Sequence, residues 1–362
     1  MNPEALDPHP ALPPDSGSGS GPPVGLGFVR EAWYVLAWDH EIGASGFFTR
    51  TVLGQALLAY RTADGEVVVL EDRCPHRQAP LSRGTREGDA IRCGYHGLKF
   101  DRSGHCVDLP GLEGPIPLRV CVRRYPVRVH RRWVMVWMGQ AHTADPALLP
   151  DNLSCEHADW RYEPGYLHYE TAWELIADNL LDFSHLSFVH AQTLGGSEQV
   201  ARIRPHVETL PRGVRVSRRI TSVPAPAYYR PLWDYTGLID RWIDYDFLLP
   251  GILLMSSGAC RAGADPMDDS AGIRFHSCQA LTPETATCTH YFFQESHLAW
   301  QGNDQTTRGL FEGLLRAFSE DREMITAQAR NLDPHRPMLA LHMDSALMRF
   351  RARVQAAIQA EG

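Results

Sequence analysis

The sequence predicts an α+β chain in two parts: a small, mostly β unit over residues 28–140 and a larger mixed unit over residues 141–362. Three observations predict it. Short apolar runs broken by Gly, Pro and Asp recur up to about residue 140. In the second part, longer apolar runs pair across tight turns and read as antiparallel strands. An amphipathic helix, Gln305–Arg330, follows those pairs.

Residues 1–27 hold seven prolines and a Ser-Gly repeat, and read as a disordered tail. No Lys or Arg precedes Arg30, so the basic start of a signal peptide is missing and a cytoplasmic protein is expected. AWYVLAWDHEI opens the ordered part. QALLAYR and EVVVLED flank Asp64-Gly65, which is a hairpin signal. YPVRVH and RRWVMVWMG add strands, and ADPALLPD marks a linker. Tyr169 to His190 reads as helical, and IDYDFLLPGILLMSS as one buried strand. HVETLPRGVRVSRRI and the pair GIRFHSCQAL/TCTHYFFQESH read as antiparallel strands, with TPET at the second turn. A last short helix is expected over Asp344–Ile358.

Composition narrows the function classes. Of 362 residues 44% are hydrophobic and 22% charged, enough to bury an ordinary core. The net charge is −8 and no block of like charge appears, which argues against nucleic-acid and membrane partners. No apolar run reaches the roughly 18–20 residues of a membrane helix. Eight cysteines without an export signal point to metal binding or burial rather than disulfides.

Only two cysteines carry metal-type spacing. EDRCPHRQAPLSRGTREGDAIRCGYHGLKFD places Cys74 and His76 as C-x-H, then Cys93 and His96 as C-x-x-H. Zinc fingers pair like with like; here each loop supplies one Cys and one His. A [2Fe–2S] cluster needs that mixture, two thiolates on one iron and two imidazoles on the other. Pro75 stiffens one loop, and Gly94 and Gly97 flank Tyr95-His96 in the other. The stretch resembles the Rieske motif, which implies electron transfer at roughly −150 to +300 mV. By itself it does not imply an enzyme, since Rieske ferredoxins share it. A structural zinc site is the alternative.

A second constellation is DNLLDFSHLSFVH, from Asp178 to His190. His185 and His190 lie about 140° apart on a straight helix, so they meet one metal only if the helix ends or distorts near Leu186 to Phe188. Asp182 is three residues before His185 and can orient a ligand ring. Two His and a carboxylate leave open positions on Fe(II). The carboxylate is expected in GLFEGLLRAFSEDREMITAQ. Leu310, Leu314, Phe318 and Ile325 form one stripe and Asp321 falls inside it, a costly position unless paired or metal-bound. Glu320, near the stripe's edge, ranks second.

Together these stretches resemble the α-subunits of Rieske non-haem iron oxygenases, from Phe28 to about Arg330. AWYVLAWDHEI, CGYHGLKFD with Leu98 where ring-dihydroxylating members carry Trp, and DNLLDFSHLSFVH are most similar to the vanillate O-demethylase and dicamba monooxygenase branch. The resemblance implies an N-terminal all-β Rieske domain and a helix-grip, START-like catalytic domain. Cys74, His76, Cys93 and His96 would hold the [2Fe–2S] cluster, and His185, His190 and Asp321 a mononuclear Fe(II), with Asn179 near it. It also implies a head-to-tail homotrimer in which Asp182 links His96 of the neighbour to its own His185. Electrons would come from NAD(P)H through a separate flavin and iron–sulfur reductase. With O2, the substrate's methyl group would be hydroxylated, most simply on a methoxybenzoate-like ring with loss of formaldehyde. N-methyl, aryl-methyl or ring hydroxylation use the same machinery, and an electron carrier without oxygenase activity is the alternative of another class. Phe247, Phe292 and Phe293 are candidate pocket walls. For a benzoate, Arg230, His276 and His290 are candidate partners.

Overall fold

The computed structural model describes residues 25–191, 193–194, 198–266, 272–333, 335–336 and 338–362. The stretch read as a disordered tail lies outside them up to residue 24.

The first part is all antiparallel sheet. Its strands are β1 (Trp33–Trp38), β2 (Phe48–Val52), β3 (Gln55–Arg61), β4 (Val67–Glu71), β5 (Thr85–Glu87), β6 (Ala90–Arg92), β7 (Lys99–Phe100), β8 (Cys106–Asp108), β9 (Arg124–Tyr125), β10 (Val127–His130) and β11 (Trp133–Trp137). They form three sheets, β1-β11-β10, β2-β3-β4-β9 and β5-β6-β7-β8. The Asp64-Gly65 turn joins β3 to β4 as its sequence predicts, with Gly65 at φ +87°, a left-handed position that glycine adopts without strain. Leu58, Tyr60, Leu70, Leu81 and Phe100 make a separate core beneath the two Cys/His loops.

The second part adds β12 (Trp160–Tyr162), β13 (Gly165–Tyr169), α1 (Trp173–Leu181), α2 (Glu198–Arg202), β14 (His206–Leu210), β15 (Gly213–Pro224), β16 (Leu238–Leu248), β17 (Ile252–Arg261), β18 (Gly272–Pro283), β19 (Thr289–Leu298), α3 (Asp304–Asn331) and α4 (Ser345–Ala360). The strands form one antiparallel sheet in the order β12-β19-β18-β17-β16-β15-β14, with β13 also on β19. One face packs on the tryptophans of β1 and β11; Ile252, Cys278 and Phe292 join Trp33, Trp38, Trp133 and Trp137 there. The other face receives the helices. On α3, Phe318 stacks edge-on against Phe293 at 4.9 Å, and on α4 Phe350 meets Phe247 at 4.6 Å. Each such ring buried contributes about 1.5–3 kcal/mol. Arg351 of α4 grips Asp178 of α1, Nε to Oδ1 at 3.0 Å.

Two expectations change. IDYDFLLPGILLMSS is not one strand: β16 ends at Leu248, the chain reverses through Leu249-Pro250-Gly251, and β17 returns beside it. Proline lacks the N–H a continuing ladder needs. Tyr169–His190 is not one helix either. Tyr169 closes β13, α1 stops at Leu181, and Phe183–Ser187 is a 3-10 turn. Asp182 causes the break. It is extended (φ −128°, ψ 96°), and its carboxylate accepts Ser184 N–H at 2.9 Å, competing with the helical ladder.

Candidate active site

The cluster loops are shaped by backbone. Cys74 N–H donates to Ala79 O at 2.9 Å, and Cys93 N–H to Leu98 O at 2.8 Å. Gly94 is demanded by contact between the loops, since a Cβ there would lie 2.8 Å from Arg83 O; Gly97 is demanded by φ +77°. Cys74 and Cys93 are buried, whereas His76 and His96 are exposed with rings 4.5 Å apart. Two thiols on the inner side and two imidazoles on the outer side fit a cluster with one iron held by cysteines and the other by histidines. Burial, with help from the adjacent Cys93, pushes the Cys74 thiol up to about 11. Local loss of water against the facing loop, then His76 and Arg77, lower His96.

The second centre is assembled from three elements. His185 lies in the 3-10 turn, His190 in the turn after it, and Asp321 on α3. One ligand-capable atom from each lies within 4.8 Å of the others. His190 Nε2 is 3.1 Å and His185 Nε2 3.6 Å from Asp321 Oδ1. His190 Nε2 is buried and faces Asp321 Oδ1 without the alignment of a hydrogen bond, the arrangement of two ligand atoms turned toward a shared ion. Asn179 Nδ2 donates to Asp321 Oδ1 at 3.0 Å. Burial lowers His185. At His190 burial acts the same way, but Asp321 and Glu320 outweigh it and raise the ring. Two imidazoles and a carboxylate around one point, the carboxylate steadied by an amide, fit a mononuclear iron.

The orienting groups differ from the expected ones. His185 Nδ1 bonds the backbone carbonyl of Asp182 at 2.5 Å, not its carboxylate. That carboxylate accepts from Ser184 and from buried Arg218, Nη2 at 3.3 Å. Glu320, ranked second as a ligand, instead holds His190 Nδ1 at 2.8 Å and accepts Thr193 Oγ at 2.7 Å. It fixes the tautomer that points Nε2 at Asp321.

These residues open on a cavity of about 80 Å³ between the helices and the sheet, walled by Ile243, Met255, Leu314 and Phe318 among others. Phe247 and Phe293 are committed to α4 and α3, and Phe292 to the tryptophan cluster, so none lines it. Nor do the proposed anion partners: Arg230 is exposed, His276 stacks on Trp160 at 4.3 Å, and His290 Nε2 lies 3.0 Å from Thr51 O. Arg241, Glu295, Tyr228 and Tyr229 are there instead. Burial pushes the Glu295 carboxyl up to about 7.

Residues 32–126 match the Rieske [2Fe-2S] domain, and residues 169–360 the vanillate O-demethylase oxygenase C-terminal domain. The chain is 38% identical to the toluene-4-sulfonate monooxygenase system iron-sulfur subunit of Comamonas testosteroni, over 92% of this chain and 98% of that one. It is 33% identical to a vanillate O-demethylase oxygenase subunit of a Pseudomonas species, over 86% and 96%. Dicamba monooxygenase bound to 3,6-dichlorosalicylic acid superposes with a TM-score of 0.85 at 29% identity, covering 92% of this chain and 99% of that one. The fold, an N-terminal Rieske domain and an antiparallel catalytic domain, is the one that structure has. The chain therefore belongs to the Rieske non-haem iron oxygenases, in the branch of vanillate O-demethylase and dicamba monooxygenase, with a [2Fe–2S] cluster and a mononuclear iron as its cofactors.

Proposed function

We propose that the chain is the oxygenase component that hydroxylates a methyl group on a small aromatic substrate, by oxidative O-demethylation of a methoxybenzoate-like compound. Cys74, His76, Cys93 and His96 hold the cluster; His185, His190 and Asp321 hold the iron. The observation that carries the reading is the convergence of His185, His190 and Asp321, each offering a ligand atom within 4.8 Å of the others, at the edge of an apolar-walled cavity. An electron carrier has no use for that arrangement, which argues against the carrier alternative. When bound, the iron supplies O2 activation, fed by the cluster one electron at a time. The chain's own work is to seat the ring against Ile243, Met255 and Phe318, aim the methyl at the centre and exclude water. Two electrons and two protons convert O2 and Ar–O–CH3 to Ar–O–CH2OH and water; the hemiacetal then gives the phenol and formaldehyde.

The proposal includes a separate flavin and iron–sulfur reductase drawing on NAD(P)H, a cytoplasmic location and a head-to-tail homotrimer in which Asp182 meets the neighbour's His96. Exposed His96 supports that route. Among the described residues no helix is long and apolar enough to cross a membrane. Aryl-methyl hydroxylation is the second reading, supported by the relative named for toluene-4-sulfonate, whose methyl sits on a ring carbon. The test is to supply the loaded enzyme and a reductase with methoxybenzoates and methylarenes. Formaldehyde release supports demethylation, and a benzylic alcohol without formaldehyde supports the second reading. Neither product from any of them, in enzyme holding both metals, sinks both.

A further inference from the structure

Three arginines are buried among the described residues: Arg218, Arg351 and Arg241, at 2%, 4% and 8% exposure. The first two have aspartates. Arg218 faces Asp182 at 3.3 Å, and Arg351 grips Asp178. Arg241 has no carboxylate partner among the described residues. Its hydrogen bond runs from Nε to the Tyr229 hydroxyl, 3.1 Å, and its guanidinium lies over the same ring, 5.2 Å from the centroid.

Its placement is set by the strand. In β16 the inward phase is Ile239, Arg241, Ile243, Tyr245 and Phe247, all buried, while the intervening residues are more open. Arg241 thus takes a position that alternation reserves for an apolar side chain. It lines the same void as His185, His190 and Asp321. The other ionisable group of the sheet in that void, Glu295, does not neutralise it. Arg241 pairs with Ala259 across β17, whereas Glu295 pairs with Ser277 and through it with Met255 and Tyr245. That puts the acid three strands over and two inward positions along.

A guanidinium taken out of water without a counter-charge costs several kcal/mol. A planar fork held by a tyrosine is also the shape that receives two oxygens of one anion. The Tyr228 hydroxyl faces both Arg241 and Tyr229, so two phenols hold the guanidinium in place.

We propose that Arg241, steadied by Tyr229, anchors an anionic substituent, a carboxylate or a sulfonate, on the aromatic substrate and so determines which arenes the void admits. The inference rests on the oxygenase reading of the same void, and deepens it. The anchor holds the charged end, which leaves the far end of the ring to meet the iron centre.

Calorimetric binding to metal-loaded enzyme tests it without turnover. The probes are 4-methylbenzoate and toluene-4-sulfonate, with 4-methylbenzamide and 4-methylbenzenesulfonamide as neutral isosteres. The unaltered enzyme should bind at least one anion more tightly than its isostere, and which anion does so separates the carboxylate arm from the sulfonate arm. Arg241→Gln should weaken that anion by about 30-fold or more, the size expected for losing one side of a buried charge pair. The neutral probes should move by no more than about threefold, the scale of one ordinary hydrogen bond. Arg241→Lys should recover part of the loss and checks that the fold survives. Equal binding of anions and isosteres by the unaltered enzyme overturns the proposal. So does a Gln variant that weakens all four probes alike, or none. Anion binding through Arg241 with no oxygenated product would leave the inference standing and sink the oxygenase reading instead; a product only from neutral arenes would do the reverse.

Discussion

Both proposed metal cradles use a pair of histidines, and they place them oppositely. At the cluster loops the cysteines are buried and His76 and His96 face solvent. At the second centre His190 is 1% exposed and Asp321 4%. The first cradle is shaped by short-range backbone bonds within two loops. The second is held by side chains from distant elements, with His190 and Glu320 130 residues apart. The difference follows from what each must do. An imidazole at the surface can pass an electron to another molecule. A reacting centre needs water kept away and ligands that cannot wander.

The largest expected effect separates the two outright. His190→Ala should lower iron from about three to about two per chain, leave the cluster's visible bands intact, and cut hydroxylation by at least about a thousandfold. Cys93→Ser should do the reverse to the spectrum, abolishing the bands. If His190→Ala also bleached the cluster, the two cradles would share a support that their separate cores do not suggest.

Asp182→Asn comes next, because it strikes the proposed link rather than either metal. The carboxylate accepts from Ser184 and is the counter-charge of buried Arg218; an amide keeps one acceptor but not the charge, so the variant's melting temperature is measured alongside its turnover. Both metals should stay bound while coupled turnover falls by about a hundredfold or more, because the negative charge offered to the neighbour's His96 N–H is gone. Full turnover would remove Asp182 from the electron route. It would leave its carbonyl, which bonds His185 Nδ1, as the group that matters.

The contrast also explains what could be read in advance. A cradle made by local backbone leaves its whole ligand set in one stretch, C-x-H and C-x-x-H with glycines between. A cradle made across the fold leaves fragments. Asp321 was legible because a carboxylate in the apolar phase of a helix demands a reason. Glu320 beside it was not legible as the group that orients His190, since a helical wheel says nothing of the partner a neighbouring turn presents. The break at Asp182 was hidden because apolar residues run on through it; only an Asx-type bond to Ser184 interrupts the helix. Arg241 obeys the same logic as Asp321, a charge in the apolar phase. The sequence does not reveal it because the apolar run begins only at Ile243, five residues after β16 starts, and continues through the turn at Pro250.

Glu320→Gln should give a smaller effect confined to the inner centre. A neutral amide still accepts a bond from His190 Nδ1 but no longer sharpens the ring's basicity. Iron should bind about 10–100-fold more weakly, the usual cost of losing such a partner, with no change at the cluster. Metal titration of the stripped enzyme measures it. Unchanged affinity would mean that Thr193 and packing alone orient the ring.

The smallest effect probes the medium around the inner centre. Glu295 is half-buried, and the water its carboxyl loses pushes it up to about 7, from an ordinary 4.5. The folded chain then keeps a proton there that the unfolded chain releases. The associated stability is fully present below about pH 4.5 and is lost as pH rises to about 7. Glu295→Gln deletes the titration. The stability of the natural protein relative to this variant should therefore decline across that window, by on the order of 2–3 kcal/mol in total, read by denaturant unfolding at several pH values. A difference that stays flat from pH 4.5 to 7 would mean that water reaches the carboxyl. The void would then be a wet cleft, and the opposition between an outward cluster and a dry inner iron would lose its physical basis.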